Sequence, residues 1–225
     1  MTKGKLICII GIDGSGKTTQ ARQLVRTLSD RGISCKYRYG RIIPLLPRPF
    51  MYLGKKVFLK NSDSFKDFRA HSVKKRRLFS NSGISRIYQG VFLLDYLIQA
   101  IMKIRIPLLF GNNIVSDRYV YDTVITDLAV DLGYSEEKIG SLIRQLLLML
   151  PKPDITFYID TPEQIAMSRK TDVPSVDYLI ERRSRYSQVA NSWGMEIVDG
   201  AESIDEVRNS ITRKALKLFE GEMSD

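Results

Sequence analysis

The chain has little of what would build a disulfide framework or a zinc site. Its 225 residues include two cysteines, Cys8 and Cys35, and one histidine, His71. Both cysteines fall in segments that we predict to be strands, which indicates two small thiols in the core rather than a disulfide. One histidine is too few to anchor a metal site. The fold must therefore be held by its hydrophobic core, and a chain of this length is long enough to bury one.

Long hydrophobic runs are also missing. The strongest candidate for a membrane span, residues 91–110, is interrupted by four charged or amide side chains, whereas a span needs about 20 apolar residues. The apolar stretch near the N-terminus is too short for a secretory signal. We therefore expect a cytoplasmic protein that forms a single domain over residues 1–225.

Acidic residues are scarce in one part of the chain. Residues 36–88 hold 14 Lys or Arg and two acids, a local charge of +12, so the rest of the +10 chain carries −2. Such asymmetry is typical of a segment with a polyanionic partner: nucleotide phosphates, nucleic acid or an anionic membrane surface. Residues 41–56 mix apolar and basic side chains as an interfacial segment does, and residues 74–77 are all basic. A surface-packed helix pair with solvated lysines is the simpler interpretation, and nucleic acid or membrane contact stays an alternative.

Strands alternate with helices along the rest of the chain. Apolar runs with the length of buried strands lie near residues 5–10, 33–39, 113–117, 154–159 and 195–198. This alternation predicts an α/β fold, a five-stranded parallel sheet with helices on both faces. The stretch 40–90 is the exception, because it contains three prolines and no strand pattern. It predicts a basic helical insertion within the same domain.

Two helix starts carry capping signals. Thr161, Pro162 and Gln164 fit an N-cap, a proline at the first helical position and a glutamine three residues after the cap. Ser203 and Glu206 have the spacing of a capping box. The sequence therefore predicts helices that begin beside residues 161 and 203.

A glycine-rich turn follows the first predicted strand and precedes a helix. It matches G-x-x-x-x-G-K-[ST], in which glycines let backbone N–H groups turn inward on phosphate oxygens. The dipole of the helix starting at Lys17 favours the same anions, the Lys17 side chain reaches the β- and γ-phosphates, and the Thr18 hydroxyl ligates Mg²⁺. The turn therefore predicts an ATP site. It comprises Gly11, Ile12, Asp13, Gly14, Ser15, Gly16, Lys17, Thr18 and Thr19.

A carboxylate and a guanidinium, Asp117 and Arg118, stand side by side at the end of the third predicted strand. Ligands of an open parallel sheet bind at the carboxyl ends of its strands. Asp117 is therefore placed to orient Mg²⁺, and Arg118 to hold an anionic group bidentately across from the donor phosphates. Together with the glycine-rich turn, the pair favours a kinase over a nucleotide-hydrolysing switch.

Four stretches taken together resemble the thymidylate kinase family. They are residues 11–20 (GIDGSGKTTQ), 117–119 (DRY), 153–160 (PDITFYID) and 198–200 (VDG). The resemblance covers about residues 5–39 and 106–218 and is poor between them. It implies the P-loop kinase fold, a homodimer, and transfer of the γ-phosphoryl group of ATP to a deoxynucleoside monophosphate, with dTMP as the leading acceptor and dTDP as the product.

The resemblance also implies roles for individual residues. Asp13 contacts the sugar hydroxyl of the acceptor, Asp117 serves the metal, and Arg118, beside Tyr119, holds the acceptor phosphate. The family closes a basic lid over the phosphates, which here corresponds to residues 169–176. No arginine lies inside the phosphate loop, so the lid must supply the transition-state cation. We expect Arg169 in this role.

This sequence departs from the family on the acceptor side. The turn that binds the acceptor after the second strand is replaced by residues 37–41 (YRYGR), and the helix arginine for the acceptor phosphate falls on Tyr96. The Tyr-Gln pair near the base becomes Thr126-Asp127. We expect Arg38 or Arg41 to replace the lost arginine, with Arg41 favoured because it lies past the strand end.

Three interpretations of function stay open at this point. A nucleoside monophosphate kinase, with dTMP as its first acceptor, is the leading one. A P-loop kinase acting on a nucleoside, a sugar-like alcohol or a lipid-linked alcohol is the second. A nucleotide-binding ATPase or switch without an acceptor is the third.

Three arginines of the helix after the lid, Arg182, Arg183 and Arg185, are further candidates for phosphate contact.

Overall fold

The computed structural model describes residues 3–41, 82–129, 133–170 and 172–220. Most of the predicted insertion at 40–90 therefore lies outside the described residues, as do the basic cluster 74–77 and all but the first residue of the segment 41–56. Their suggested contacts with nucleic acid or a membrane surface stay predictions. Within the described ranges, no helix is both long enough and apolar enough to cross a membrane.

Five strands form one sheet. They are β1 (Leu6–Gly11), β2 (Cys35–Tyr39), β3 (Asn113–Asp117), β4 (Ile155–Asp160) and β5 (Glu196–Asp199). Their order is β2-β3-β1-β4-β5, and every neighbouring pair is parallel. The predicted five-stranded parallel sheet is confirmed. Because β1 lies between β3 and β4, the loop that leaves β1 emerges between the carboxyl ends of both.

Helices connect the strands on both faces of the sheet. They are α1 (Lys17–Ser29), α2 (Ser82–Ala100), α3 (Ile106–Leu109), α4 (Val120–Asp122), α5 (Glu136–Met149), α6 (Glu163–Arg169), α7 (Val176–Ser192) and α8 (Ile204–Leu216). Two π-helical segments, Ile101–Arg105 and Thr123–Ala129, continue α2 and α4. The sequence analysis did not single out α5.

The core has two layers because side chains alternate along β1. Leu6, Cys8 and Ile10 face a cluster that includes side chains of α2, α5 and α7. Ile7 and Ile9 face a second cluster formed with α1 and α8. All five side chains are at most 1% exposed. The strand is therefore buried on both faces, as its continuous apolar run predicts.

One of the two predicted caps is wrong in detail. The helix after β4 begins at Glu163, Pro162 is its cap residue, and no side chain caps it. Thr161 is instead fully buried against the sheet, one residue too early to serve as the cap. The second prediction is confirmed, because Ser203 and Glu206 form a complete capping box at the start of α8.

Candidate active site

The glycine-rich turn, residues 11–18, lies at the carboxyl end of β1 under a cleft of about 320 Å³. Every residue from Asp13 to Thr19 lines this cleft, together with Arg118, Arg169 and Lys170. Gly11 and Ile12 are buried and do not line it. The structure thus brings most of the predicted ATP site to one surface, and its role in ATP binding stays a prediction.

Two glycines give the turn its shape. Gly14 and Gly16 have φ angles of 85° and 82°, a region that strains other residues. A Cβ at Gly14 would also lie 2.2 Å from the carbonyl oxygen of Ala166. Helix α1 begins directly at Lys17, with Gly16 as its cap residue and no side-chain cap. The first N–H groups of α1 are therefore left for the oxygens of a ligand.

Lys17 is almost fully buried, at 4% exposure. Its Nζ donates to the carbonyl oxygen of Ile12 at 2.7 Å and lies 3.9 Å from Asp13 Oδ1. Burial lowers the pKa of Lys17 to about 7, helped by the positive charge of Arg118 and opposed by Asp13. A bound phosphate would favour the charged form. The lysine is therefore poised to respond to an anion in the cleft.

Asp117 is fully buried at the end of β3. Thr18 Oγ1 and the Tyr37 hydroxyl both donate to its Oδ2, at 2.6 and 2.9 Å. Its other oxygen, Oδ1, is buried and has no hydrogen-bond partner, which is costly for a carboxylate. Carboxylate and hydroxyl oxygens are ligands that Mg²⁺ accepts. The donor set therefore fits the predicted metal residues, Thr18 and Asp117, and Tyr37 is an addition that the sequence did not suggest.

A metal ion held there needs other ligands as well. The described part of the chain contains no cluster of three or more His, Cys, Asp or Glu side chains that could hold a metal by itself. Mg²⁺ usually keeps several waters and binds through one or two carboxylates plus substrate phosphates. The arrangement fits an ion that arrives with a nucleotide.

Arg118 is held between two carboxylates. Its Nη2 donates to Asp13 Oδ1 at 2.6 Å and its Nη1 to Asp122 Oδ1 at 3.1 Å. Burial alone would lower the pKa of Arg118, but nearby anions, chiefly Asp122, outweigh it and raise the pKa. Its φ angle is 73°, a strained value of the kind that concentrates at functional sites. The charged guanidinium is therefore fixed at the end of β3.

Asp122 anchors this arrangement from inside the core. It is fully buried, accepts from the Tyr186 hydroxyl at 2.6 Å, and accepts from the Tyr119 N–H at 3.3 Å. The sequence analysis missed it. Asp122 lies four residues after Arg118, but Arg118 has a left-handed backbone and α4 begins only at Val120, so helical spacing alone did not predict this contact. Nothing in the sequence indicated the contact with Tyr186.

Asp13 joins the glycine-rich turn to the elements around it. Besides Arg118, it accepts from the Tyr178 hydroxyl at 3.1 Å and lies 3.7 Å from Lys170 Nζ. Burial alone would raise the pKa of Asp13, but Lys17, Arg118 and Lys170 outweigh it and hold the pKa well below its usual range. The carboxylate therefore stays ionised at neutral pH.

The predicted lid is residues 169–176, of which Thr171 lies outside the described residues. Two of its cations, Arg169 and Lys170, line the cleft. Arg169 Nη1 donates to the carbonyl oxygen of Gly200 at 3.0 Å. Lys170, which the sequence analysis did not choose, instead faces Asp13. The catalytic role of Arg169 stays a prediction, and Lys170 is a lid cation within ion-pair distance of Asp13 in the glycine-rich turn.

The predicted acceptor arginines lie at the end of β2. Arg41 is ion-paired with Asp127, its Nε donating to the two carboxylate oxygens at 3.1 and 3.2 Å and its Nη2 to the first of them. Arg38 donates to the carbonyl oxygen of Tyr37 at 3.1 Å. Arg41 is thus already engaged by a carboxylate. The acceptor roles of both arginines stay predictions.

Two other residues of the predicted acceptor site are inside the core. Tyr96 and Tyr119 are 1% and 0% exposed and belong to the cluster beside β1. The Tyr119 hydroxyl donates to the carbonyl oxygen of Pro151 at 2.9 Å. Neither tyrosine lines the cleft, so an acceptor contact by them stays a prediction.

The fold and the site together define a class of protein. A five-stranded parallel sheet with helices on both faces, a glycine-rich turn after the central strand and an Asp-Arg pair after its neighbour constitute the P-loop kinase fold.

Comparison with known proteins makes this class more specific. No protein-family model matches the chain. It is 25% identical over 228 residues to a thymidylate kinase of Prochlorococcus marinus, covering 96% of this chain and 98% of that protein. It is 28% identical to a thymidylate kinase of Buchnera aphidicola, covering 99% of each. For a thymidylate kinase of Plasmodium falciparum, the identity is 24%, covering 96% of this chain and 91% of the other. The predicted resemblance to thymidylate kinases is confirmed, and the matches extend beyond the two predicted ranges to nearly the whole chain. The chain is a P-loop nucleotide kinase.

Proposed function

We propose that the protein transfers the γ-phosphoryl group of ATP to dTMP, giving dTDP and ADP. The observation that carries the proposal is that Lys17 and Arg118 line one cleft, with Asp117 bonded to Thr18 of the same cleft. The chain that holds them matches thymidylate kinases along nearly its full length. Phosphoryl transfer asks a protein mainly for positioning and for positive charge near the transferring group. The cleft supplies both.

The donor side follows from the glycine-rich turn. Backbone N–H groups of residues 13–18 and the amino end of α1 bind the triphosphate. The buried Lys17 ammonium stabilises the charge that grows on the transferring phosphoryl group. Lys170 and Arg169 line the same cleft from the lid and neutralise the outer phosphate oxygens. Residues 169–176 thus act as a short lid of a single domain.

We further propose that Mg²⁺ accompanies ATP. Thr18 and Asp117 are the residues that would hold it, since the Thr18 hydroxyl is bonded to one carboxylate oxygen and the other has no partner. When bound, the ion neutralises phosphate charge. Tyr37 and Thr18 fix the carboxylate in the orientation that leaves Oδ1 for a ligand.

On the acceptor side, we propose that Asp13 contacts the acceptor sugar and Arg118 its phosphate. The left-handed backbone and the Asp122 contact hold Arg118 at the strand end. Arg41 and Asp127 flank the same side as an ion pair.

A second candidate function is phosphorylation of a different, hydroxyl-rich acceptor. The observation that favours it is the double engagement of Arg118 by Asp13 and Asp122, which leaves less positive charge for an acceptor phosphate. Carboxylates are good partners for alcohol hydroxyls.

We also propose a cytoplasmic location, because ATP and dTMP are cytoplasmic metabolites.

We further propose that the protein is a homodimer. Leu94, Ile98, Met102 and Ile106 follow one another at four-residue intervals along α2 and its continuation, and each is more than 40% exposed. An exposed apolar stripe of this kind is typical of a subunit interface. A second copy of the chain is the occupant we propose, and sedimentation of the purified protein tests it, with a monomer at micromolar concentration counting against it.

The test of function is a labelling experiment. The protein is incubated with γ-labelled ATP and Mg²⁺ together with dTMP, dUMP, thymidine or a panel of sugars. We expect label in dTDP, and in thymidine at a rate at least about a hundredfold lower because the acceptor phosphate is missing. Label in an alcohol but not in any monophosphate would favour the second candidate. ATP hydrolysis without labelling of any acceptor would overturn both.

A further inference from the structure

Four of the arginines that are candidates for phosphate contact are paired with carboxylates. Arg118 is engaged by Asp13 and Asp122, Arg41 by Asp127, Arg183 by Asp160 and Glu163, and Arg185 by Glu181. A phosphate monoester carries a charge between −1 and −2 at neutral pH, by analogy with phosphorylated side chains. A site whose cations are already neutralised is poorly prepared to hold it.

Arg182, on α7, is different. It is 6% exposed, and no carboxylate of the described residues forms an ion pair with it. Its Nη1 donates to the carbonyl oxygen of Tyr178 at 3.3 Å, and its guanidinium carbon lies 3.4 Å from the centroid of the Tyr178 ring. Its Nε is buried without a hydrogen-bond partner. Burying a cation in this way is costly unless a counter-ion is supplied.

The position of Arg182 relates it to the acceptor side. Tyr178, Arg182 and Tyr186 follow one another at four-residue intervals and so share one face of α7. The Tyr178 hydroxyl donates to Asp13, and the Tyr186 hydroxyl donates to Asp122. These two carboxylates are the ones that hold Arg118. Arg182 therefore lies on the helix face that spans both anchors of Arg118.

We propose that Arg182 is a binding residue for the phosphate group of the acceptor, acting together with Arg118. The guanidinium has N–H groups left to donate, and a planar fork that can bind two phosphate oxygens at once. Stacking on Tyr178 fixes the plane of that fork before the ligand arrives. The inference rests on the proposed function, because it assigns a residue to the monophosphate of that same acceptor.

This assignment differs from the expectation for Arg41. Arg41 is held by Asp127 through both its Nε and its Nη2, so a phosphate would have to replace a carboxylate that is already in place. Arg182 has no such competitor among the described residues. Binding there adds a counter-ion and removes none.

The experiment compares Arg182→Gln and Arg182→Lys with the control Arg144→Gln. Arg144 is an exposed arginine of α5 that does not line the cleft. For each protein, dTMP binding is measured by calorimetry, and the KM values for dTMP and ATP are measured separately. We expect both Arg182 variants to raise the Kd and KM of dTMP at least tenfold, about 1.4 kcal/mol. The KM of ATP should stay within twofold, and Arg144→Gln should change neither KM.

The melting temperature separates a binding role from a structural one. An unpaired buried cation does not stabilise the fold, so Arg182→Gln should keep or raise the melting temperature of the ligand-free protein. A fall of several degrees with unchanged dTMP binding would overturn the inference. If the wild type binds dTMP and the Arg182 variants bind it equally well, the inference is overturned and the proposed function is not. Wild-type protein that binds no dTMP would overturn the proposed function, and the inference with it.

Discussion

Replacing Asp122 with alanine is expected to destabilise the protein strongly. The carboxylate is fully buried and accepts hydrogen bonds from Arg118, from the Tyr186 hydroxyl and from the Tyr119 N–H. Its removal leaves one nitrogen of a buried guanidinium and a buried hydroxyl without their acceptor. Such unpaired groups cost far more than the pair contributes when intact.

The magnitude follows from what Arg118 retains. Breaking a buried ion pair costs about 3–5 kcal/mol. Arg118 keeps Asp13 as a second carboxylate partner at 2.6 Å, so the lower end applies, about 3 kcal/mol. For a chain of this size each kcal/mol lowers the melting temperature by about 2–4 °C, so we expect a fall of roughly 6–12 °C.

Urea unfolding and thermal melting measure the effect. Asp205→Ala is the matched control, because it removes the same side chain from an exposed pair with Arg208 and should leave stability nearly unchanged. Asp122→Asn keeps the size and one acceptor oxygen and should fall between wild type and alanine. A loss below about 1 kcal/mol for Asp122→Ala would refute the view that this carboxylate anchors Arg118.

Three further predictions concern the cleft. Lys17→Ala should lower kcat about a thousandfold with the melting temperature retained, because the ammonium acts on charge that develops in the transition state; near-normal turnover would contradict the assignment. Tyr37→Phe should raise the Mg²⁺ concentration for half-maximal rate roughly fivefold, since it removes one hydrogen bond, about 1 kcal/mol, from Asp117. Tyr39→Phe is the control for that titration, and equal Mg²⁺ dependence in both variants would argue against a positioning role. Asp13, whose pKa is held below its usual range, should contribute stability above about pH 4 that is lost as the pH falls; if Asp13→Asn loses as much stability between pH 5 and 3 as the wild type, that linkage is wrong.

Several features of this protein follow from the sequence because they depend on neighbours along the chain. The apolar run of β1, the glycine-rich turn and the helix that starts at Lys17 are consecutive, so their pattern specifies both the local structure and its chemistry. The same holds for Asp117 and Arg118 at the end of β3 and for the capping box at Ser203. Strand alternation predicted the parallel sheet, since each apolar run is separated from the next by a helical pattern.

The pairing of charges on the acceptor side was decided by packing between distant parts of the chain. Arg118 meets Asp13 across 105 residues of sequence, and Tyr186 meets Asp122 across 64. No periodicity or spacing reports such contacts, because they depend on how α7 packs against the strand ends. The same packing gave Arg41 a carboxylate partner 86 residues away and left Arg182 without one among the described residues. The sequence identifies these arginines as candidates by residue type alone. Only the folded structure shows which arginine is already neutralised by a carboxylate and which still needs an anion.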